Sequence, residues 1–372
     1  MRIIFCSLLV LMFVSRGYAM AGEVTASEIL KPVAELPSKL HANANSLVWH
    51  PDGRQVAIMS MRPEIEVWDV AQQSRVATLR SPKAGSTQSL AYSPDGKYLA
   101  GGESTVGLWD AKTYDMVREC IGPYVDLTRP QPLGTESMVF SPDSRQLAVV
   151  YQSAIKGGYA IVFFDVQSGE VLKKIEGDGG FEGKLLFTPD GKRLVGAHSD
   201  YTESRVQRNR LPDYEIFFWD VESGQVVKTM PKVHLMSVTA FGMSDDGKWV
   251  ATGSKNGERS VYFGNNGPNK PFPPYVDNDP VRLWDAATGK LDREFVSGKP
   301  VWGLAFSADG RYLITCHPGD LLVWNIATGE RVQQMPYKTD QGLGGACARS
   351  PDGRRLVLKR RHDLAVYEFT GK

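Results

Sequence analysis

Hydrophobic and polar positions alternate along this chain in short runs, and no convincing long helical pattern interrupts them. Leu90-Ala91-Tyr92 and Tyr98-Leu99-Ala100 are one pair of such runs; Leu304-Ala305-Phe306 and Tyr312-Leu313-Ile314 are another. A period of two predicts strands. Between the members of each pair stands one recurring tetrapeptide: His50-Pro51-Asp52-Gly53, Ser93-Pro94-Asp95-Gly96, Ser141-Pro142-Asp143-Ser144, Thr188-Pro189-Asp190-Gly191, Ser244-Asp245-Asp246-Gly247, Ser307-Ala308-Asp309-Gly310 and Ser350-Pro351-Asp352-Gly353. Pro presets φ, Asp bonds nearby backbone, and Gly accepts a positive φ, so each copy predicts a tight turn between two strands.

A second mark follows each turn, apolar residues ending in an aromatic–acidic pair: Trp68-Asp69, Trp109-Asp110, Phe164-Asp165, Trp219-Asp220, Trp284-Asp285, Trp324-Asn325 and Tyr367-Glu368. Hairpin signals such as Ser168-Gly169, Ser223-Gly224, Thr288-Gly289 and Thr328-Gly329 then lead into a fourth short strand. The array resembles the WD-repeat β-propeller family over residues 32–371. The resemblance implies an all-β fold, a seven-bladed β-propeller of four-stranded antiparallel blades. Phe164, Asn325, Tyr367-Glu368 and the missing Pro in units five and six depart from the pattern. The last unit ends before its fourth strand, while Pro32-Val33-Ala34-Glu35-Leu36 matches Arg75-Val76-Ala77-Thr78-Leu79 in pattern and in distance to the next turn. The N-terminal strand is therefore expected to complete the last blade and close the ring.

Residues 1–21 carry Arg2, the apolar run Ile3–Val14 and the small-residue pattern Ala19-Met20-Ala21. They read as a signal peptide, leaving 22–372 as one propeller that is periplasmic or extracellular, an exported bacterial-type member. Formal net charge is +1, with 43 basic and 42 acidic residues and no basic block, so nucleic acid is not an expected partner. Of four Cys, Cys6 leaves with the leader; Cys120, Cys316 and Cys347 stay. Buried free thiols are the default reading, and whether Cys316 and Cys347, in adjacent units, are paired is open.

The aromatic of each pair, one per repeat on a buried strand, reads as packing between blades rather than as a stacking ladder. The family resemblance implies that His234 bonds a strand hydroxyl, Thr252 or Ser254, which supports Trp284. His50, His198, His317 and His362 show no metal-ligand spacing, and no nucleophile elbow, zinc helix or phosphate loop occurs. Asp277-Asn278-Asp279 reads as a polar loop tip. Neither cofactor, metal nor catalytic residue is assigned.

Chemistry being absent from the repeats, the departures from regular spacing carry the functional information. From turn Asp to the second residue of the pair the intervals are 17, 15, 22, 30, 39, 16 and 16 residues. From there to the next turn Asp they are 26, 33, 25, 26, 24 and 27. Four connections are enlarged: 152–160, 198–215 and 254–281 between second and third strands, and 120–137 between a fourth and a first. In a meander these emerge on one face, forming a crest on blades 2–5. Tyr124, Arg129, Tyr201, Arg205, Arg208, Arg210, Tyr214, Tyr262, Phe263, Phe272 and Tyr275 populate it, residue types enriched at interfaces. The expected function is a non-enzymatic protein-binding module or scaffold of the cell envelope. An exported propeller enzyme or enzyme subunit with its site at the central mouth, and a glycan or envelope-polymer binder, stay open as alternatives.

Overall fold

The computed structural model describes residues 29–37, 46–59, 64–81, 89–102, 105–124, 135–152, 158–200, 213–234, 237–254, 280–337, 346–360 and 363–370. These residues hold 28 strands and no helix, arranged as seven antiparallel sheets of four. Blade 1 runs outward through Leu47–Trp49, Gln55–Met59, Glu64–Asp69 and Ser74–Arg80, and blades 2–6 repeat that order. Blade 7 takes Cys347–Arg349, Arg355–Lys359 and Leu364–Phe369 from the C-terminal end and Leu30–Leu36 from the N-terminal end. Leu30 pairs with Phe369 and Leu36 with Leu364, so the expected closure is present. From blade 6, the Gln333 amide latches the closing strand: Nε2 donates to the Leu30 carbonyl at 2.6 Å, and Oε1 accepts the Ile29 and Leu30 amides.

The tetrapeptide works as its chemistry requires. In blade 3 the Ser141 hydroxyl donates to Asp143 Oδ1 and accepts the Gln146 amide, while Asp143 Oδ1 also accepts the Arg145 amide. The Ser141 hydroxyl, then that amide, hold the Asp143 carboxyl below its usual pKa, and Ser244 does the same for Asp246 in blade 5. Position four has φ near +70° wherever it is Gly, as at Gly53 and Gly96. Ser144 adopts +62° without being Gly, a conformation that costs about 1 kcal/mol. Its hydroxyl there accepts the Asp95 amide from the turn of blade 2.

The second residue of six of the seven aromatic–acidic pairs has a matching task. Asp110 Oδ1 accepts the Lys112 and Thr113 amides, and Asp285 Oδ1 accepts the Thr288 amide, closing the turn into the outer strand. Asn325 does this equally well through its amide oxygen, which explains that departure. Glu368 has no such turn to close, because the fourth strand of its blade arrives from the other end of the chain.

The buried apolar side chains pack mainly between blades. They form seven clusters, one in each seam between neighbouring blades. Each seam holds one aromatic of the repeated pair: Trp68 between blades 7 and 1, Trp109 between 1 and 2, then Phe164, Trp219, Trp284, Trp324 and Tyr367 in order. All are at most 7% exposed, as packing rather than ligand stacking demands. Lysines reinforce two seams from outside: Lys228 reaches from blade 4 to the Ala286 and Ala287 carbonyls of blade 5, and Lys173 from blade 3 to the Val221 carbonyl of blade 4.

Candidate functional site

The four connections leave the sheets at the expected strand junctions, but in blade 3 the strands themselves lengthen and only residues 153–157 join them. Three of the connections join Gln146–Gln152 to Gly158–Asp165 in blade 3, Arg193–Asp200 to Asp213–Asp220 in blade 4, and Trp249–Ser254 to Val281–Asp285 in blade 5. The fourth joins Met116–Ile121 of blade 2 to Thr135–Phe140 of blade 3. All four share the end of the ring opposite the tetrapeptide turns. Arg129, Tyr201, Arg205, Arg208, Arg210, Tyr262, Phe263, Phe272 and Tyr275 lie outside the described residues, as do Asp277-Asn278-Asp279 and the leader 1–21.

Two crest candidates are described, and they differ. Tyr124 is partly exposed and leans on the outer edge of blade 3, where its hydroxyl donates to Glu176 and the Lys174 ammonium stands 5.3 Å from its ring centre. Tyr214 is not a crest surface residue. It belongs to the strand Asp213–Asp220, pairs with Ser199 and His234, and is 6% exposed. Tyr214, Ile216 and Phe218 point together into the seam between blades 4 and 5. That alternation is visible in the sequence and extends the strand into the segment assigned as loop.

The inner strands surround a central channel of about 700 Å³. Val48, Ala91, Val139 and Leu186 make an apolar collar; Glu136 and Lys184 stand on the crest side of it. Burial, and then the neighbouring Glu182 carboxylate, push the Glu136 carboxyl above its usual pKa. At the opposite mouth Arg349 of blade 7 crosses blade 6 and holds Asp245 of blade 5 with one nitrogen 2.5 and 2.6 Å from the two carboxylate oxygens. Units five and six, the two without a turn proline, both border this contact. Asp245 supplies the carboxylate, and Ala308 lies beside Gly353 and Arg349, where a Cβ on Gly353 would come 2.2 Å from that of Ala308 and 3.0 Å from Arg349 Nη1.

His234 performs the task implied for it: Nε2 lies 2.8 Å from Thr252 Oγ1, which accepts Trp284 Nε1–H at 3.0 Å. Sequence reading missed the same relay in blade 6, where His317 Nε2 lies 2.7 Å from Thr315 Oγ1 and Trp324 Nε1–H donates to that oxygen at 2.9 Å. His317 comes from the second strand itself, two residues after the threonine, whereas His234 ends the fourth strand of the preceding blade, Val226–His234. The i, i+2 spacing of Thr315 and His317 beside a Trp was the available signal. His198 stacks on Phe217 with centroids 4.4 Å apart and donates Nε2–H to the Asp178 carbonyl. Among the described residues no three His, Cys, Asp or Glu side chains gather as a metal site, and no helix is long and apolar enough to cross a membrane.

Three segments, 73–110, 224–258 and 289–325, match the family described as WD domain, G-beta repeat. The chain carries WD40 repeats. Its WD-repeat relatives include WD repeat-containing protein VIP3 of Arabidopsis thaliana, 26% identical over 40% of this chain and 47% of that protein. Pre-mRNA-processing factor 17 of Homo sapiens is 22% identical over 58% of this chain and 33% of its own length. An uncharacterized WD repeat-containing protein of Synechocystis is 26% identical over 39% of this chain and 38% of that protein. The matched regions thus span half or less of each relative. Eukaryotic proteins stand among them, and they do not single out an exported bacterial branch.

Proposed function

We propose that this WD-repeat propeller is a protein-interaction platform of the cell envelope, exported by the leader at 1–21 and non-enzymatic. Its partner is a protein, engaged through the crest on blades 2–5. One observation carries this reading: the three longest connections, 122–134 between blades 2 and 3, 201–212 in blade 4 and 255–280 in blade 5, leave the same end of the ring from contiguous blades. Scattered neutral insertions have no reason to share an end and be neighbours. The aromatic and Arg content of 120–137, 198–215 and 254–281 supports a contact surface, and its near balance of charges favours a protein over a polyanion. Replacing 254–281 by a short Gly-Ser hairpin and repeating affinity capture with crosslinking from an envelope fraction tests it. Loss of the captured protein with an unchanged melting temperature is expected; undiminished capture removes the crest from consideration. Fusing residues 1–28 to a reporter that works only after export tests the location separately.

A further inference from the structure

The seam between blades 6 and 7 is built from chain segments far apart in sequence, and two thiols meet in it. Cys316 lies on the second strand of blade 6, Tyr312–His317, and Cys347 opens the inner strand of blade 7, Cys347–Arg349. Both are buried, at 0% and 4% exposure, and both are free. They share one apolar cluster with Leu321, Leu356, Leu358 and Tyr337, and burial and then the neighbouring Cys347 thiol push the Cys316 thiol up. Cys347 also lines the central channel, so one member of the pair borders an open space that small reagents can enter. Cys120 is remote from both, in the seam between blades 2 and 3.

We infer that Cys316 and Cys347 are the site of an interblade disulfide, formed with a low-molecular-weight disulfide as oxidant. Cys347 gives up its proton toward the channel and its thiolate attacks one sulfur of the small disulfide, expelling one small thiolate. Cys316, deprotonated in turn, attacks the Cys347 sulfur of that mixed disulfide and expels the second. Two protein thiols are oxidised by two electrons, and one small disulfide becomes two thiols that take up the two protons. Burial pushes the Cys316 thiol up, so the second attack is slow in the closed ring and fast while blade 7 is still docking. Whether the bridge forms in the cell depends on the compartment; its formation in vitro does not depend on export or on any partner.

The full chain is unfolded, refolded with oxidised glutathione and mapped by peptide mass spectrometry without reduction. A Cys316–Cys347 linked peptide is expected, with two fewer thiols titrating in denaturant than in the reduced chain. The bridge closes a loop of about 30 residues, so the melting temperature should rise by about 5 °C on oxidation. Cys120→Ala should keep the linked peptide and the rise; Cys347→Ala should lose both. An undiminished thiol count in the oxidised wild-type chain, or a bridge to Cys120, overturns the inference whatever the variants do.

Discussion

Blades 5 and 6 reach one arrangement by opposite chemistry. In blade 5, Arg282 Nη1 stands 3.1 Å from His234 Nδ1; a guanidinium can only donate, so Nδ1 is the bare nitrogen and Nε2–H donates to Thr252. In blade 6, His317 Nδ1 faces the Pro300 carbonyl at 3.0 Å; a carbonyl can only accept, so Nδ1 carries the proton and Nε2 accepts the Thr315 hydroxyl. Both threonine oxygens accept a Trp N–H. What these two blades share is therefore a buried acceptor for the tryptophan, not a particular histidine. Blade 1 meets the same need with the Glu66 carboxylate, which accepts Trp68 Nε1–H and is held by Arg75.

The difference should separate the two blades most under acid. Desolvation lowers the His317 pKa to about 4, with the nearby Lys299 also disfavouring its charged form and Asp320 opposing. The unfolded chain takes up this proton near the ordinary 6.5 and the folded one only near 4. The stability is thus present above 6.5 and lost as pH falls from 6.5 toward 4, by roughly 3 kcal/mol. Urea midpoints taken across that range for wild type and His317→Gln would show it; equal slopes would mean that His317 does not titrate as the relay requires. Next in size, Thr315→Val should cost about 2 kcal/mol by stranding Trp324 Nε1–H and His317 Nε2, and Thr315→Ser should recover most of it. A neutral valine variant breaks the comparison by showing the hydroxyl to be dispensable. The smallest effect is expected beyond these blades: Asp245→Pro, which restores the common tetrapeptide, should lower stability by about 1 kcal/mol because Arg349 loses its carboxylate at a half-exposed pair. A gain in thermal denaturation would instead show that the turn proline outweighs the pair.

What the sequence made legible was whatever repeats. Seven turns, seven aromatic–acidic pairs and the orphan strand at Pro32–Leu36 each recur in order along the chain, and all but Glu368 have the structural task that their chemistry predicts. The unreadable parts are contacts made once. Arg349 meets Asp245 across a whole intervening blade, and no local pattern announces a partner 104 residues away. His317 replaces a histidine that the family places elsewhere, so alignment by position passes over it. Tyr214 shows the complementary error: a long interval between landmarks was divided into loop and strand by length, when the Tyr214-Ile216-Phe218 alternation already set the strand boundary.

The strand Leu30–Leu36 has a kinetic consequence. Its partner Leu364–Phe369 lies more than 300 residues away, as does the Gln333 latch, at separations of 303 and 304, whereas every other blade zips from neighbouring hairpins. Contacts of such separation form late because loop closure precedes any reward. Until they form, the apolar segment Leu364-Ala365-Val366-Tyr367 presents an unpaired edge, open to a second nascent chain offering its own Leu30–Leu36. Domain-swapped oligomers joined through blade 7 are thus the characteristic misfolded product to look for when this chain is refolded at high concentration.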